Sequence, residues 1–218
     1  MTYMIHASPQ RMWYVEEFLI PSMLKQGIPE QEIILRNDTE GKGNLFSCME
    51  SFRDCGKLRG GTWHLQDDVI LSRDFAEKTR AHEDGIVCGF GCTNFGPSMQ
   101  ERGRVPMPFM WYSFQCIRIP NELAGECAKW FFGDAQYRTQ YSTQVVDRRH
   151  DDWFFREFLM EQHKDLWVTN LAPNIADHID YLIGGTLINQ ARRIQTNRAA
   201  FFQDQDLVED LEKKIKER

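Results

Sequence analysis

Residues 62–72 read TWHLQDDVILS, a short apolar run that leads into two adjacent acids, Asp67 and Asp68. We predict a buried strand over residues 62–65, with the acids at its carboxyl end. Ser72 is a residue type that caps helices, so the apolar residues between Asp68 and Ser72 read as the exit into a helix. The rest of the fold is predicted outward from this strand.

Predicted strands and helices alternate around this stretch. Up to residue 90 the order is strand, helix, strand, helix, strand, helix, strand. Such alternation predicts an α/β protein with a mostly parallel central sheet flanked by helices. The predicted strands cover residues 3–7, 32–36, 62–65, 85–90, 114–119 and 166–169. The predicted helices cover residues 11–26, 44–52, a stretch from 72 onward, 120–131, 151–163 and 206–218.

Length and composition favour a single domain. The chain has 218 residues, of which 42% are hydrophobic and 27% are charged, an ordinary globular composition at a size that one core can serve. The formal net charge of −6 argues against a protein that coats nucleic acid by bulk electrostatics.

The sequence has no apolar run long enough to span a bilayer, and its N-terminus does not resemble a signal peptide. We therefore expect a cytoplasmic protein without a membrane span. None of the cysteines forms a CxxC pair or a metal-ligand cluster, so they are predicted to be reduced and mostly buried. The cysteines are residues 48, 55, 88, 92, 116 and 127.

Polar residues at the ends of the predicted strands are the candidate site, because open α/β sheets bind ligands beyond the carboxyl ends of their strands. This rule selects three loops, Ser8-Pro9, Asn37-Asp38 and the loop at residues 66–68. Two adjacent carboxylates repel each other and attract a hard divalent cation, which would bridge them to a diphosphate. The alternative is a solvated turn in which one acid caps the next helix.

Gln66-Asp67-Asp68 resembles the short acidic motif of GT-A glycosyltransferases, written DxD or EDD, whose last acid binds the metal. The resemblance implies a single-domain, Rossmann-like GT-A fold that uses Mn²⁺ or Mg²⁺, with Asp68 as the direct ligand and Asp67 beside the donor. Gln66 departs from the acid that is more usual at the first position. The implied organisation is a nucleotide-sugar half over residues 1–90, an acceptor half over 91–190 and a helical extension over 191–218.

Two later segments resemble further motifs of the same family. His150-Asp151-Asp152 resembles the xED motif, whose last acid is the general base of inverting members, so Asp152 is the implied base. Asp151 shares the assignment, since one acid can cap the helix while the other takes the proton. His178, expected in a loop, resembles the late histidine that completes the metal shell; a purely structural histidine is the alternative.

The nucleotide end of the resemblance lies earlier in the chain. Asn37 and Asp38 resemble the acidic turn that contacts the base or ribose, although both residue types also favour plain turns. Asn44, which opens a helix after Lys42-Gly43, resembles the residue that holds the nucleotide-sugar.

These residues imply a glycosyltransferase that moves a sugar from a nucleotide-diphosphate donor of the UDP-sugar type to an acceptor hydroxyl. The acceptor is left open among a glycan, a protein and a small molecule, with modified nucleic acid less favoured despite the basic pair Arg148-Arg149. A metal-dependent nucleotidyltransferase of sugar phosphates would also use paired acids, but residues 7–11, ASPQR, are a poor version of its phosphate loop. A nucleotide-sugar-binding module without catalysis is the other alternative.

Overall fold

The computed structural model describes residues 1–91, 104–106, 114–133, 151–184, 199 and 201–218. Cys92 and the basic pair Arg148-Arg149 lie outside these ranges, as does much of the predicted acceptor half. Within the described residues, no helix is both long enough and apolar enough to cross a membrane.

The described strands form a seven-stranded central sheet in the order β2-β1-β3-β7-β5-β8-β6 and a separate pair, β4 with β9. In the large sheet β7 and β6 run antiparallel to their neighbours, so five of the seven described strands point the same way. The prediction of a mostly parallel α/β sheet is therefore confirmed. The strands are β1 Thr2–Ala7, β2 Ile33–Asn37, β3 Gly61–Gln66, β4 Val69–Leu71, β5 Ile86–Cys88, β6 Arg104–Pro106, β7 Cys116–Pro120, β8 Trp167–Asn170 and β9 Ala176–His178.

The helices follow the predicted pattern closely. The first helical segment begins with a 3₁₀ turn, Pro9–Arg11, and contains a π-helical turn, Val15–Leu19. It ends before Gly27, whose φ of 77° suits glycine. The α-helices are α1 Met12–Tyr14, α2 Ile20–Lys25, α3 Asn44–Cys55, α4 Phe75–Arg80, α5 Asn121–Gly133, α6 Asp151–Gln162 and α7 Gln205–Glu217.

The segment after the acid pair differs from the prediction. Val69–Leu71 is the strand β4 rather than an exit into a helix, and α4 begins only at Phe75, after Asp74. β4 pairs antiparallel with β9, and Val69 lies opposite His178 in the ladder. His178 is therefore in a strand and not in a loop. Only this long-range pairing distinguishes the three apolar residues of β4 from the start of a helix.

Helices cover both faces of the large sheet. One face packs against the first helical segment, α4 and α7, with Tyr3 and Trp63 fully buried in its core. The other face packs against α3, α5 and α6, around Phe52 and Phe155. Cysteines 48, 55, 88, 116 and 127 are buried free thiols. This three-layer arrangement leaves the carboxyl ends of the parallel strands as the edge where loops can build a site.

Register brings the ends of three strands to one edge of the sheet. Ala7 pairs with Asn37 between β1 and β2, and His6 pairs with Gln66 between β1 and β3. The loops that follow β1, β2 and β3 therefore start side by side. These are the three loops that the sequence selected.

Helices α3 and α5 approach each other most closely at two glycines. A Cβ added to Gly125 would lie 2.9 Å from the Cα of Gly56, and one added to Gly56 would lie 2.6 Å from the Cα of Gly125. Both contacts are with backbone, which cannot turn aside as a side chain can. We expect Gly125→Ala to lower the free energy of unfolding by about 1–3 kcal/mol, as measured by urea denaturation.

Gly133→Ala, in the same helix, is the matched control because a Cβ there meets nothing within 4 Å among the described residues. It should leave stability unchanged or raise it by less than about 1 kcal/mol. Equal effects of the two substitutions would show that the helices do not depend on this approach.

Candidate functional site

Asp67 ties the loop after β3 to the loop after β1. Its Oδ2 accepts hydrogen bonds from the backbone N–H of Ser8 at 2.6 Å and from the Ser8 hydroxyl at 2.7 Å. Its Oδ1 accepts a hydrogen bond from Nη1 of Arg11 at 2.9 Å. Both carboxylate oxygens of Asp67 therefore accept hydrogen bonds from the protein itself. Asp67 was predicted to lie beside the donor, and in the structure it is a clamp between the two loops.

Asp68 lies in a different environment, although it is adjacent in sequence and equally buried. Its Oδ2 contacts Nη1 of Arg11 and lies 3.1 Å from Nε2 of His178. Its Oδ1 is buried and accepts no hydrogen bond from the described residues. The backbone is fixed as well, because the N–H of Ile179 donates to the Asp68 carbonyl at 2.8 Å. An anionic oxygen is thus held in position with part of its bonding capacity unused.

The ladder between β4 and β9 brings His178 to the acid pair. Its ring lies edge-on to Phe90, with 6.3 Å between the ring centroids. Nδ1 of His178 is 3.9 Å from Oδ1 of Asp180, and neither of these buried atoms has a hydrogen-bond partner among the described residues. Asp180 therefore lies on the far side of the imidazole from Asp68.

The charges of this cluster shift the pKa values of its members. Burial and the neighbouring Asp68 raise the pKa of Asp67, against the effect of Arg11. Burial also acts to raise the pKa of Asp68, but His178 and Arg11 outweigh it and hold the carboxyl ionised. Burial acts to lower the pKa of His178, and the charge of Asp68 outweighs it, so that the pKa is raised. Asp68 is the carboxylate that the site keeps charged.

The donor set suits a divalent cation that is shared with a ligand. No group of three or more His, Cys, Asp or Glu residues in the described ranges is arranged to hold a metal by itself. Mg²⁺ is commonly held by one or two carboxylates, with substrate phosphates and water completing its shell. Oδ1 of Asp68, buried and without a hydrogen-bond partner in the described part of the chain, fits that role. His178 could join it as a nitrogen ligand only as the neutral imidazole, which requires loss of the proton that Asp68 favours by raising its pKa.

A cleft of about 330 Å³ opens beyond the end of β2. Both carboxylate oxygens of Asp38 accept hydrogen bonds from the adjoining loop. The donors are the backbone N–H groups of Lys42 at 2.9 Å and Gly43 at 2.8 Å. The Oδ1 of Asn37 is buried and has no hydrogen-bond partner among the described residues. Of the two residues predicted to contact the base or ribose, Asn37 has the polar atom still available. The cleft is lined by Arg36, Asn37, Asp38, Thr39, Glu40, Lys42, Ser47, Glu50, Arg53 and Asp54.

A second acid pair lies at the start of α6. Asp151 is only 4% exposed, accepts a hydrogen bond from the N–H of Asp152 at 2.9 Å and is hydrogen-bonded to the side chain of Asn44. Burial, with the charge of Asp152 second, raises the pKa of Asp151 to about 8. Asp151 therefore keeps its proton at neutral pH, and the half-buried Asp152 is the other acid of the pair.

Most of the predicted residues form two groups at the carboxyl edge of the sheet, and Asn37 and Asp38 line the cleft after β2. Asp67, Asp68 and His178 meet at the end of β3. Asn44 and Asp151 meet where α3 follows the loop after β2. Sequence reasoning missed two residues of the first group, Arg11 and Asp180.

A partial signal for the missed residues was present. The Ser8-Pro9 loop was selected by its position after β1, and Ser8 does bind Asp67. Arg11 lies three residues further on and carried no signal of its own, because a single arginine at the start of a helix is usually solvated.

Comparison with known proteins gives no family for this chain. No family model matches it, and a search of curated proteins finds no match. Among solved structures, it is similar to A197 from STIV, with 12% identity and a TM-score of 0.40 over 82% of this chain and 86% of that chain. A likeness at this level says nothing about activity, so the function is inferred from the site.

The raised pKa of Asp151 predicts that this residue makes stability depend on pH. Below the ordinary pKa of 3.8, the carboxyl is protonated in both the native and the unfolded chain. Between 3.8 and about 8, only the unfolded chain loses the proton, so Asp151 destabilises the native state increasingly. Asp151→Asn keeps the acceptor oxygen and removes this cost. The stability gained by the substitution should grow across that window, to the order of a few kcal/mol, and then level off.

Urea denaturation at a series of pH values measures this difference. Asp165→Asn, an exposed acid in the loop before β8, is the control and should show no such trend. A gain for Asp151→Asn that stays flat across the window would mean that Asp151 is ionised in the native protein.

Proposed function

We propose that this protein is a metal-dependent glycosyltransferase with a single-domain, Rossmann-like GT-A fold. It would move a sugar from a nucleotide-diphosphate donor of the UDP-sugar type to an acceptor hydroxyl. One observation carries the proposal: Asp68 is buried and ionised, and its Oδ1 accepts no hydrogen bond from the described residues. It lies at the edge of an α/β sheet where ligands bind.

Asp68 and His178 are the residues that would hold Mn²⁺ or Mg²⁺. A cation bound there would neutralise charge on the departing diphosphate. The protein's own contribution is to fix the position of Asp68. Asp67, bound by Ser8, holds the chain on one side, and the hydrogen bond from Ile179 to the Asp68 carbonyl holds it on the other.

The nucleotide would lie along the loops after β1 and β2. Asn37 supports this because its buried Oδ1 can accept a hydrogen bond from a base or ribose. The cleft beside it also carries the basic side chains of Arg36 and Arg53, which are paired with Asp54 and Glu50, so a phosphorylated ligand would have to compete with these acids for them. Asn44 is oriented by Asp151, so its role toward the donor would be linked to the second acid pair.

Proton transfer from the acceptor would fall to Asp152. Its neighbour Asp151 stays protonated at neutral pH, so Asp152 has no second charged carboxylate beside it in the pair. In an inverting transfer this carboxylate would take the proton of the acceptor hydroxyl, and in a retaining transfer a different group would have to serve.

A nucleotide-sugar-binding module without catalysis is the second candidate, and Arg11 favours it. The guanidinium already contacts both carboxylates, so its positive charge compensates the acid pair with no need for a divalent metal ion. A panel of sugar nucleotides incubated with the protein and Mn²⁺ separates the candidates. Slow hydrolysis to free sugar supports the transferase, and binding without turnover supports the module. Pyrophosphate-dependent cleavage of the sugar nucleotide to the sugar 1-phosphate and a nucleoside triphosphate would indicate a nucleotidyltransferase.

Asp68→Asn tests the proposed role of the carboxylate. The amide keeps the size of the side chain but loses the charge that a divalent cation requires. We expect Mn²⁺-dependent hydrolysis of the preferred sugar nucleotide to fall by roughly a hundredfold or more. The rate is measured as sugar released at saturating Mn²⁺, with circular dichroism to verify the fold.

Asp165→Asn is the matched control, since this exposed acid precedes β8 and has no part in the proposed site. It should retain the full rate. If Asp68→Asn folded normally and kept both its Mn²⁺ dependence and its rate, the proposed function would be wrong.

A further inference from the structure

Arg11 is a buried cation at the position where the proposed function requires a divalent metal ion. Its side chain is only 4% exposed, and one nitrogen, Nη1, contacts Oδ1 of Asp67 and Oδ2 of Asp68. Buried charges in proteins are stable when they are paired and hydrogen-bonded. The contact of Arg11 therefore compensates part of the charge of two adjacent buried carboxylates.

The two carboxylates that hold Arg11 are themselves fixed in different ways. Asp67 is anchored by the backbone and hydroxyl of Ser8, so its position depends on β1 and not on any ligand. Asp68 has a second partner in Nε2 of His178, 3.1 Å away, and a second oxygen without a partner in the described residues. A cation bound to Asp68 would lie close to the guanidinium and repel it. The contact of Arg11 with Asp68 is therefore the one that would be lost first.

We infer that Arg11 is a diphosphate-binding residue that occupies Asp68 while the site is empty. When a divalent cation and a diphosphate bind, the guanidinium leaves Asp68, remains on Asp67 and donates hydrogen bonds to the diphosphate. Guanidinium groups suit this exchange because their several N–H donors can serve a carboxylate and a phosphate together. The inference rests on the proposed function, since it requires a cation on Asp68.

Removal of Arg11 has two opposite consequences under this inference. Mn²⁺ alone should bind more tightly, because a competing positive charge has gone. Inorganic pyrophosphate should bind more weakly at saturating Mn²⁺, because a donor has gone. A purely structural arginine would weaken both, so the opposite signs are the diagnostic result.

The experiment compares the wild-type chain with Arg11→Met and with Arg59→Met, an exposed arginine outside the site that serves as the control. Mn²⁺ affinity is measured by electron paramagnetic resonance, and pyrophosphate affinity by calorimetry at saturating Mn²⁺. For Arg11→Met we expect Mn²⁺ to bind at least about tenfold more tightly. We expect pyrophosphate to bind roughly tenfold more weakly. Arg59→Met should match the wild type in both.

Arg11→Met leaves two buried carboxylates without their cation, so a second pair of variants guards against misfolding. Arg11→Met combined with Asp67→Asn removes one negative charge with the positive one, and Asp67→Asn alone is its reference. The same opposite changes are expected between these two variants. Thermal unfolding adds a further measure, since Mn²⁺ should raise the melting temperature of Arg11→Met by more than that of the wild type.

The outcomes separate this inference from the proposed function. If Arg11 removal weakens both ligands or changes neither, while Asp68→Asn abolishes Mn²⁺ binding, the role of Arg11 is refuted and the metal site stands. If the wild type binds neither Mn²⁺ nor pyrophosphate with Mn²⁺ present, the proposed function and this inference are both refuted.

Discussion

The clamp on Asp67 is the interaction on which the site depends. Two adjacent carboxylates that are nearly excluded from water would each cost several kcal/mol if left uncompensated. Ser8 supplies two hydrogen bonds to Asp67, and Arg11 supplies a positive charge to both acids. The same contacts join the loop after β1 to the loop after β3. The contacts that stabilise the buried acids are therefore the same contacts that fix the geometry of the carboxyl edge.

The fold was predictable where local pattern and long-range packing agree. The helix at Asn44–Cys55 was predicted because its apolar residues recur at helical spacing, and these residues do face the sheet. Val69–Leu71 was not predicted, because three apolar residues have no period and their partner, Ala176–His178, lies a hundred residues away. That pairing also decides where His178 lies. A histidine that looked like a loop residue in sequence is held against Asp68 by a strand.

The position of the site was predictable from the sequence, but the hydrogen-bond partners of its side chains were not. The rule of carboxyl ends selected the loops that contain Ser8, Asn37 and Asp68, and register does bring the strands that lead into these loops to one edge. It could not show that Asp38 uses both oxygens on the backbone of its own loop. Nor could it find Arg11, because no spacing in the sequence relates an arginine to acids more than fifty residues away. Whether a polar side-chain atom already has its hydrogen-bond partners depends on three-dimensional contacts, which a sequence pattern does not contain.

In both acid pairs, two adjacent carboxylates would repel each other if both were charged. The way in which each pair avoids this repulsion is relevant to the proposed roles of Asp68 and Asp152. Adjacent carboxylates in a medium of low dielectric constant resist being charged together. In the first pair the pKa of Asp67 is raised while that of Asp68 is lowered, and in the second pair Asp151 has its pKa raised to about 8. The acid with the raised pKa in each pair also accepts backbone hydrogen bonds, which fixes its position. Its neighbour is the member to which the proposed function gives a chemical role, Asp68 toward a cation and Asp152 toward a proton. An acidic dipeptide at a strand end or a helix start can therefore supply one structural carboxyl and one reactive carboxylate.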